Sequence, residues 1–486
     1  MKDFSKEVTE IYNKVLAGGG ATSDHKDVAK GSVYFAFKNR KPLKLWQIGI
    51  WHGWCWLQLY APSLLKIIGR LGSKTRWADN QFKEFDTKVM DGNAFAAAAL
   101  ENGASYAVID QRFKHKPPQT ILVKDVTETL YEIGKLHRQN IKAPVIGITG
   151  SVGKTTTTHL VNAILSSKLN TAFEHGSNEI KANTIRLLNT PSGVDAIVLE
   201  MSAIERGFLE AASQIAQPDH GLITALGMAH LDTFGGMENI RLGKWELLDY
   251  VYRNHGTVYL NMNVQWLAEQ KPRVPNAITY GCDPKNDIVG HMLSADPFIR
   301  IRWQPHDQKD PVDIQTKLAG EHNLNNLLGA IAIAENFGIP RAEIKSAIQA
   351  FEPVDGRSQI LQWGSNTIYN EGYQCNAPST LANLKSFASF SAARKMLILE
   401  PIGLIQPDHP VHDEIIDIVE AMALDKVLIV GTRYDRYKSR KVAEHLLNRA
   451  ALKEWLLQNS VQNTHIMLNV SGFMTIKQLF EEVQPH

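Results

Sequence analysis

The chain has 486 residues, 44% of them hydrophobic and 21% charged, and a formal net charge of +2. At about 150 residues per domain this suffices for three domains, each with its own core. So even a charge balance leaves no electrostatic footprint for nucleic acid or an acidic partner. Cys55, Cys282 and Cys375 are too few and too scattered for a disulfide framework or a zinc cluster, which fits a reducing compartment. The N-terminus, MKDFSKEVTEIYNKVL, mixes acidic with basic residues and has no apolar stretch of signal-peptide length, so a cytoplasmic location is expected.

In chain order, residues 31–37 (GSVYFAF) read as a strand rich in β-branched and aromatic residues. Asp91-Gly-Asn opens an alanine-rich helix over 94–100 that Gly103 stops, and residues 106–110 and 120–124 supply two more strands. This is a small α/β domain, residues 1–142, without a catalytic constellation. Its expected role is to hold a substrate.

Residues 41–87 interrupt that domain and carry five of the ten tryptophans, at 46, 51, 54, 56 and 77. From Trp46 to Leu65 there is no Asp, Glu, Lys or Arg, but Gln47, His52, Gln58 and Pro62 speak against a membrane span. A packed insertion or lid is one reading. The other is contact with a membrane surface through residues 46–70, with Lys66 and Arg70 at the edge, which would place the protein peripherally at the inner face of the membrane.

Residues 144–165 (PVIGITGSVGKTTTTHLVNAIL) organise the rest of the chain. The apolar run Val145, Ile146, Ile148 predicts a strand, and Leu160, Val161, Ile164 and Leu165 recur at helical spacing. Between them lies Thr149-Gly150-Ser151-Val152-Gly153-Lys154-Thr155-Thr156. A glycine loop between strand and helix turns backbone N–H groups inward, and the helix dipole and Lys154 add positive charge. Such a site takes a polyphosphate, with the Thr155 hydroxyl placed for Mg²⁺. Ile148 stands where the first glycine of the longer G-x-x-x-x-G-K-[ST] loop would be.

Residues 195–201 (DAIVLEM) predict a buried strand ending near Glu200, a carboxylate well placed for Mg²⁺ at the carboxyl end of a parallel strand. The next strand, 222–226, leads to His230, which alone reads as a structural histidine. Lys244 falls on a helix and by itself reads as a surface lysine. Strands at 257–260 and 277–280 are expected to complete the sheet of a central domain, 143–318.

Gly320-Glu-His-Asn323-Leu-Asn-Asn326 opens another helix, and the two asparagines, three apart, share one face where their amides could meet an adenine edge or serve as caps. After this connecting segment, 319–352, Gly356-Arg357 begins a third α/β pattern, 353–486, with strands at 367–369, 396–399, 427–430 and 466–468.

The ordered set T-G-x-x-G-K-T at 149–155, Glu200, His230 in A-H-L-x-x-F-G, Lys244 before Trp-Glu, G-x-H-N-x-x-N at 320–326, Gly356-Arg357 and Tyr373-Gln-Cys-Asn376-Ala-Pro-Ser379 resembles the Mur ligases. The likeness covers nearly everything outside the tryptophan-rich insertion. It implies an α/β, three-domain Mur ligase architecture: a substrate domain, a central P-loop parallel-sheet ATPase domain and a Rossmann-like C-terminal ligase domain. It also implies an ATP-dependent ligase that forms an amide through an acyl phosphate. Thr149 to Thr156, Asn323, Asn326 and Arg357 would contact ATP. Thr155, Glu200, His230 and Lys244 would hold Mg²⁺, Lys244 as a carbamate. Lys154, Glu200, His230 and Lys244 would be the catalytic side chains.

The motifs K-G-S-V-Y-F-A-F, D-G-N-x-F and Y-x-x-N-x-P-S point to family members that join D-alanyl-D-alanine, the amine, to a UDP-linked muramoyl tripeptide, the acid. Several family positions are altered. The early D-S-R stands as Asp24-His25-Lys26, and G-A-N-H-x-G-E after Glu200 as Ser202-Ala-Ile204-Glu205-Arg206-Gly207-Phe208. An acidic pair is Asn370-Glu371, G-D-M is Glu400-Pro401-Ile402, and K-G-S-R is Asn469-Val-Ser-Gly472. A ligase for another acid and amine, or a nucleotide-binding relative without catalysis, are the alternatives these changes keep open.

Overall fold

The structure is a computed structural model that describes residues 5–24, 28–37, 92–110, 117–353, 356–371, 377–402, 409–438 and 443–470. The insertion 41–87, with its expected membrane contact, and Tyr373 to Asn376 lie outside the described residues. Two compact units are present: Met1–Val145 with Ala172–Ser202 and Glu210–Pro218, and Ile146–Thr171 with Ala203–Leu209 and Asp219–His486.

The first unit holds a parallel sheet in the order Ala21–Thr22, Val33–Phe35, Tyr106–Ile109, Thr120–Leu122. Strand periodicity sorts its side chains. Val33 and Phe35 face the cluster formed with Val8, Ile11 and Val15 of helix Lys6–Ala17 and Leu130 and Ile133 of helix Val126–Asn140. Tyr34 and Ala36 face Ala96 and Ala99 on the other side. Asp125 caps the helix Val126–Asn140 by accepting from the Glu128 N–H at 2.8 Å. The alanine-rich helix begins one residue past Asp91 as a 3-10 turn, Gly92–Phe95, because Gly92 passes so close to Ala36 and Phe37 that a Cβ there would meet backbone at 2.7 Å.

In the second unit a long sheet runs Val312–Ala319, Phe298–Pro305, Ile288–Ser294, Ile278–Gly281, Thr257–Asn261, His220–Ile223, Val145–Thr149. The last five are parallel and the first three antiparallel to their neighbours. The expectation that residues 277–280 end this sheet is therefore corrected. Phe298–Pro305 alternates Ile299, Ile301 and Trp303 inward with Arg300 and Arg302 outward, a half-buried antiparallel pattern legible in FIRIRWQP. The strand expected at 222–226 stops at Ile223, since Thr224 is drawn off to bind the neighbouring loop.

The third sheet is ordered Gln359–Trp363, Asn366–Asn370, His465–Asn469, Lys395–Leu399, Lys426–Val430, Glu444–Leu446. All but its first hairpin are parallel. Helices Ala377–Ser389 and Val411–Ala421 cover one face and Arg449–Gln458 the other, as in a doubly wound sheet. Among the described residues no helix is long and apolar enough to cross a membrane.

Candidate functional site

Strand Val145–Thr149 is buried throughout and delivers Thr149 to the loop Gly150 to Gly153, after which Lys154, Thr155 and Thr156 open the helix Lys154–Leu165. Neighbouring backbone fixes the loop. The Ser151 N–H donates to the Ala225 carbonyl at 2.8 Å and its hydroxyl to the Gly227 carbonyl at 2.8 Å. Thr224 donates its hydroxyl to the Val152 carbonyl at 2.5 Å, and the Asn261 amide holds the Thr224 carbonyl at 2.9 Å. A Cβ on Gly150 would stand 2.0 Å from the Thr224 hydroxyl oxygen, so the loop is compact because its glycine is bare.

Gly153 takes φ 82°, ψ −8° at the start of the helix and supplies no side-chain cap. The first turn of a helix has no backbone acceptor of its own, so its N–H groups together with Lys154 make an anion cradle. Lys154 Nζ donates to the Gly150 carbonyl at 2.9 Å, which folds the amine back over the loop.

Asn323 and Asn326 begin the helix Asn323–Asn336, which packs against Lys154–Leu165. They do share one face. The Asn326 amide donates to Asn323 Oδ1 at 2.8 Å, and Asn326 Oδ1 lies where a Cβ on Gly153 would meet it at 2.3 Å. Asn323 donates to the Ala319 carbonyl at 2.7 Å and to Ser358 Oγ at 3.1 Å. At 1% and 4% exposure both amides are buried beside the phosphate loop. Arg357, half-buried, comes between Gly356 and Ser358 in the same neighbourhood.

Lys244 is the surprise of the site. It lies on helix Met237–Arg253 at 1% exposure, with its Nζ 5.9 Å from the Phe234 ring centroid. Burial, and then the charge of Lys154, hold its ammonium well below the usual lysine range. A neutral amine is a nucleophile able to take up CO₂, and the resulting carbamate would be an anion beside Lys154. His230 is exposed and adopts φ 58°, ψ 37° before the short helix Leu231–Phe234, an uncommon conformation for a residue with a Cβ.

Glu200 belongs to the first unit, at the end of strand Ala196–Glu200. Its Oε1 accepts from the Asn178 amide at 2.6 Å, and its carbonyl from the Asn183 amide at 2.8 Å. Thr155 offers a hydroxyl at 8% exposure. Among the described residues no group of three or more His, Cys, Asp or Glu could hold a metal. Taken singly, the Thr155 hydroxyl, the Glu200 carboxylate and a Lys244 carbamate are oxygen donors of the kind Mg²⁺ takes, and His230 is a nitrogen donor.

Thr224, Asn261, His322, Ser358, Glu371 and Asn383 are additional to the sequence-based set. His322 Nε2 sits 3.2 Å from the Asn323 amide nitrogen, and burial pushes its imidazole down to about 4. The Glu371 carboxyl accepts from the Ser358 N–H at 3.0 Å and is pushed up to about 7 by burial, against the lowering effect of its bonds to Ser358 and Asn383. Only His322, the histidine of G-x-H-N-x-x-N, and Glu371, the altered acidic position before the tyrosine motif, had a sequence signal. The others sit at strand ends and helix starts whose meeting depends on the long-range pairing of strands.

The Mur ligase middle domain family matches residues 148–334. A UDP-N-acetylmuramoyl-tripeptide–D-alanyl-D-alanine ligase of Synechocystis sp. is 31% identical over 350 residues, covering 70% of this chain and 74% of that one. The chain belongs to the Mur ligase family. A ligase of the same name from Bacillus subtilis is 24% identical over 416 residues, 81% of this chain and 88% of its own. The crystal structures of MurF from Acinetobacter baumannii and of MurF ligase from Thermotoga maritima in complex with ADP match with TM-scores of 0.76 and 0.75, at 19% and 18% identity. Each covers 98% of both chains, so the α/β three-domain Mur ligase architecture is the fold of this chain.

Proposed function

We infer that the chain is an ATP-dependent, ADP-forming ligase that joins D-alanyl-D-alanine to UDP-N-acetylmuramoyl-tripeptide in the synthesis of peptidoglycan precursors. The observation that carries catalysis, beyond nucleotide binding, is Lys244. A protein that only held ATP would have no use for a buried lysine whose ammonium is disfavoured by burial and by the charge of Lys154, since burying it is unfavourable and packs no better than leucine. The names of the relatives supply the substrates.

A carboxylate is a poor electrophile. The γ-phosphoryl group of ATP passes to the donor carboxylate, giving an acyl phosphate and ADP. The acceptor amine then attacks the acyl carbon, and the tetrahedral intermediate expels inorganic phosphate to leave the amide. Lys154 and the N–H groups of the first helical turn balance the charge on the phosphates during the first step. By the family resemblance Thr155, Glu200, His230 and carbamylated Lys244 would hold Mg²⁺, which would supply further neutralisation. Asn323, Asn326 and Arg357 complete the ATP site. In this reading residues 1–142 hold the acid, 143–318 the ATP, and 353–486 the amine, with 319–352 as the connection.

A second reading, a Mur ligase for another acid and amine, is favoured by the loop after Glu200. Its Ile204 and Glu205 are exposed where the family has asparagine and histidine, and the Gly207 N–H is tied to Glu246 on the Lys244 helix at 2.7 Å. Phosphate release from ATP across a panel of UDP-muramoyl peptides and amines decides. Signal confined to the tripeptide with D-alanyl-D-alanine supports the narrow assignment, signal with another pair supports the second, and none with any pair supports a non-catalytic nucleotide binder. Liposome co-sedimentation of the full chain, with and without residues 41–87, tests the proposed membrane-surface contact through 46–70 and the peripheral location.

A further inference from the structure

Ser358 adopts φ 53°, the left-handed region that residues with a Cβ rarely enter, and it is 5% exposed. Glycine would take this conformation without strain, so the side chain must be of use to the fold or the site. Its contacts run in two directions. On one side the Ser358 N–H donates to Glu371 Oε2 at 3.0 Å, at the end of strand Asn366–Asn370 in the third sheet. On the other, Ser358 Oγ accepts from the Asn323 amide at 3.1 Å, with His322 Nε2 at 3.5 Å.

Asn323 in turn accepts from Asn326 at 2.8 Å, and Asn326 Oδ1 occupies the space a Cβ on Gly153 would fill. A continuous buried series thus connects the third sheet to the residue that starts the phosphate-binding helix. Arg357 stands between Gly356, at φ 66°, and Ser358, whose N–H is held by Glu371.

We propose that Ser358 is a positioning residue for ATP, which touches no substrate but holds Arg357 and the asparagine pair in register with Gly153. The Glu371 bond fixes its backbone, and the hydroxyl passes that constraint to Asn323. Removing the hydroxyl leaves the Asn323 amide to the Ala319 carbonyl and His322 Nε2 alone, which breaks its link to residue 358 and lets the segment carrying Arg357 drift. Binding of the nucleotide then weakens, while the chemistry that follows binding does not. This rests on the reading of residues 149–156, Asn323, Asn326 and Arg357 as the ATP site.

The test compares Ser358→Gly, which keeps the left-handed backbone unstrained and removes the CH₂OH side chain, with Lys154→Ala. Calorimetric titration with ATP should show about fivefold weaker binding for Ser358→Gly, the loss of one hydrogen bond. The KM for ATP should rise by a similar factor, with kcat and the KM of the acid donor within about twofold. The thermal midpoint is read alongside. Unchanged ATP affinity in Ser358→Gly, with affinity lost in Lys154→Ala, overturns the role of Ser358 alone. A parallel fall in kcat, donor KM and thermal midpoint overturns it as well, since that is the signature of a general packing defect. Unchanged affinity in Lys154→Ala removes the ATP site itself and the inference with it.

Discussion

The phosphate loop and the lysine pocket are built on opposite plans. Around Gly150 to Gly153 the backbone and Ser151 are tied to the next strand by Ala225, Gly227 and Thr224, so the loop holds its shape through hydrogen bonds. Lys244 has Phe234 as its neighbour and is acted on by the charge of Lys154, and among the described residues its amine makes no hydrogen bond or ion pair. One site is complete as folded. The other holds a reactive group at a raised energy, which suits a residue that is to be modified or to meet a metal.

Substitutions should separate the two. Lys154→Ala removes the full charge of the loop and is expected to abolish ATP binding by calorimetry, with a fall on the order of 10³ in kcat/KM. Retained affinity would overturn the reading of this loop as the ATP site. Lys244→Ala should behave differently. Activity drops on the order of 10²-fold, ATP binding is reduced far less, and the thermal midpoint holds or rises because a poorly solvated amine is gone. Added short carboxylates should restore part of the activity by taking the place of the carbamate. No rescue by acetate or formate, together with no carbamate carbon signal when the protein is equilibrated with ¹³C-bicarbonate, would refute carbamylation.

Gly153→Ala probes the loop from its backbone. The added methyl carbon would stand 2.3 Å from Asn326 Oδ1 at a residue with φ 82°, so strain and displacement act together. A loss of about 1–3 kcal/mol in stability is expected, with ATP affinity down about tenfold. A variant with a normal denaturation midpoint and normal ATP affinity would show that Asn326 yields at no cost.

How much of this was legible in the chain follows from the same contrast. Gly150, Gly153, Lys154 and Thr155 are adjacent in sequence, and the local strand-loop-helix pattern was enough to read them. Asn323 and Asn326 share a face because helix periodicity dictates it. Lys244 read by itself as a surface lysine, because burial is decided by Phe234 and by the strands packed against its helix. Only the family resemblance pointed to it. Ser358 carried no signal, since neither its conformation nor its partners Asn323 and Glu371, 35 and 13 residues away, appear in local composition. The antiparallel strands Phe298–Pro305 and Val312–Ala319 carry their signal in alternation, which differs from the continuous apolar runs of the parallel strands.

The smallest expected effect is on pH dependence, and it tests whether the residues around Ser358 form one buried unit. His322 has an imidazole held down to about 4 by burial, below its ordinary value of 6.5. The folded state therefore binds fewer protons than the unfolded chain between these values, so its contribution to stability is complete above about pH 6.5 and is lost as pH falls towards 4. Glu371 is pushed up to about 7 from 4.5, so the folded state binds more protons there. Its contribution is complete below pH 4.5 and is lost as pH rises through 7. The two slopes oppose each other between 4.5 and 6.5 and partly cancel, which leaves the joint contribution of this pair flat across that interval, whatever slope the other titrating groups impose. Glu371→Gln should unmask the histidine, giving a thermal midpoint that climbs, relative to the unsubstituted chain, by a few degrees, about 2–4 °C per kcal/mol, from pH 4.5 to 6.5. His322→Gln should unmask the carboxyl and reverse the slope. If both variants keep the profile of the unsubstituted chain, neither group titrates inside the fold, and the pocket that holds Ser358 is open to water.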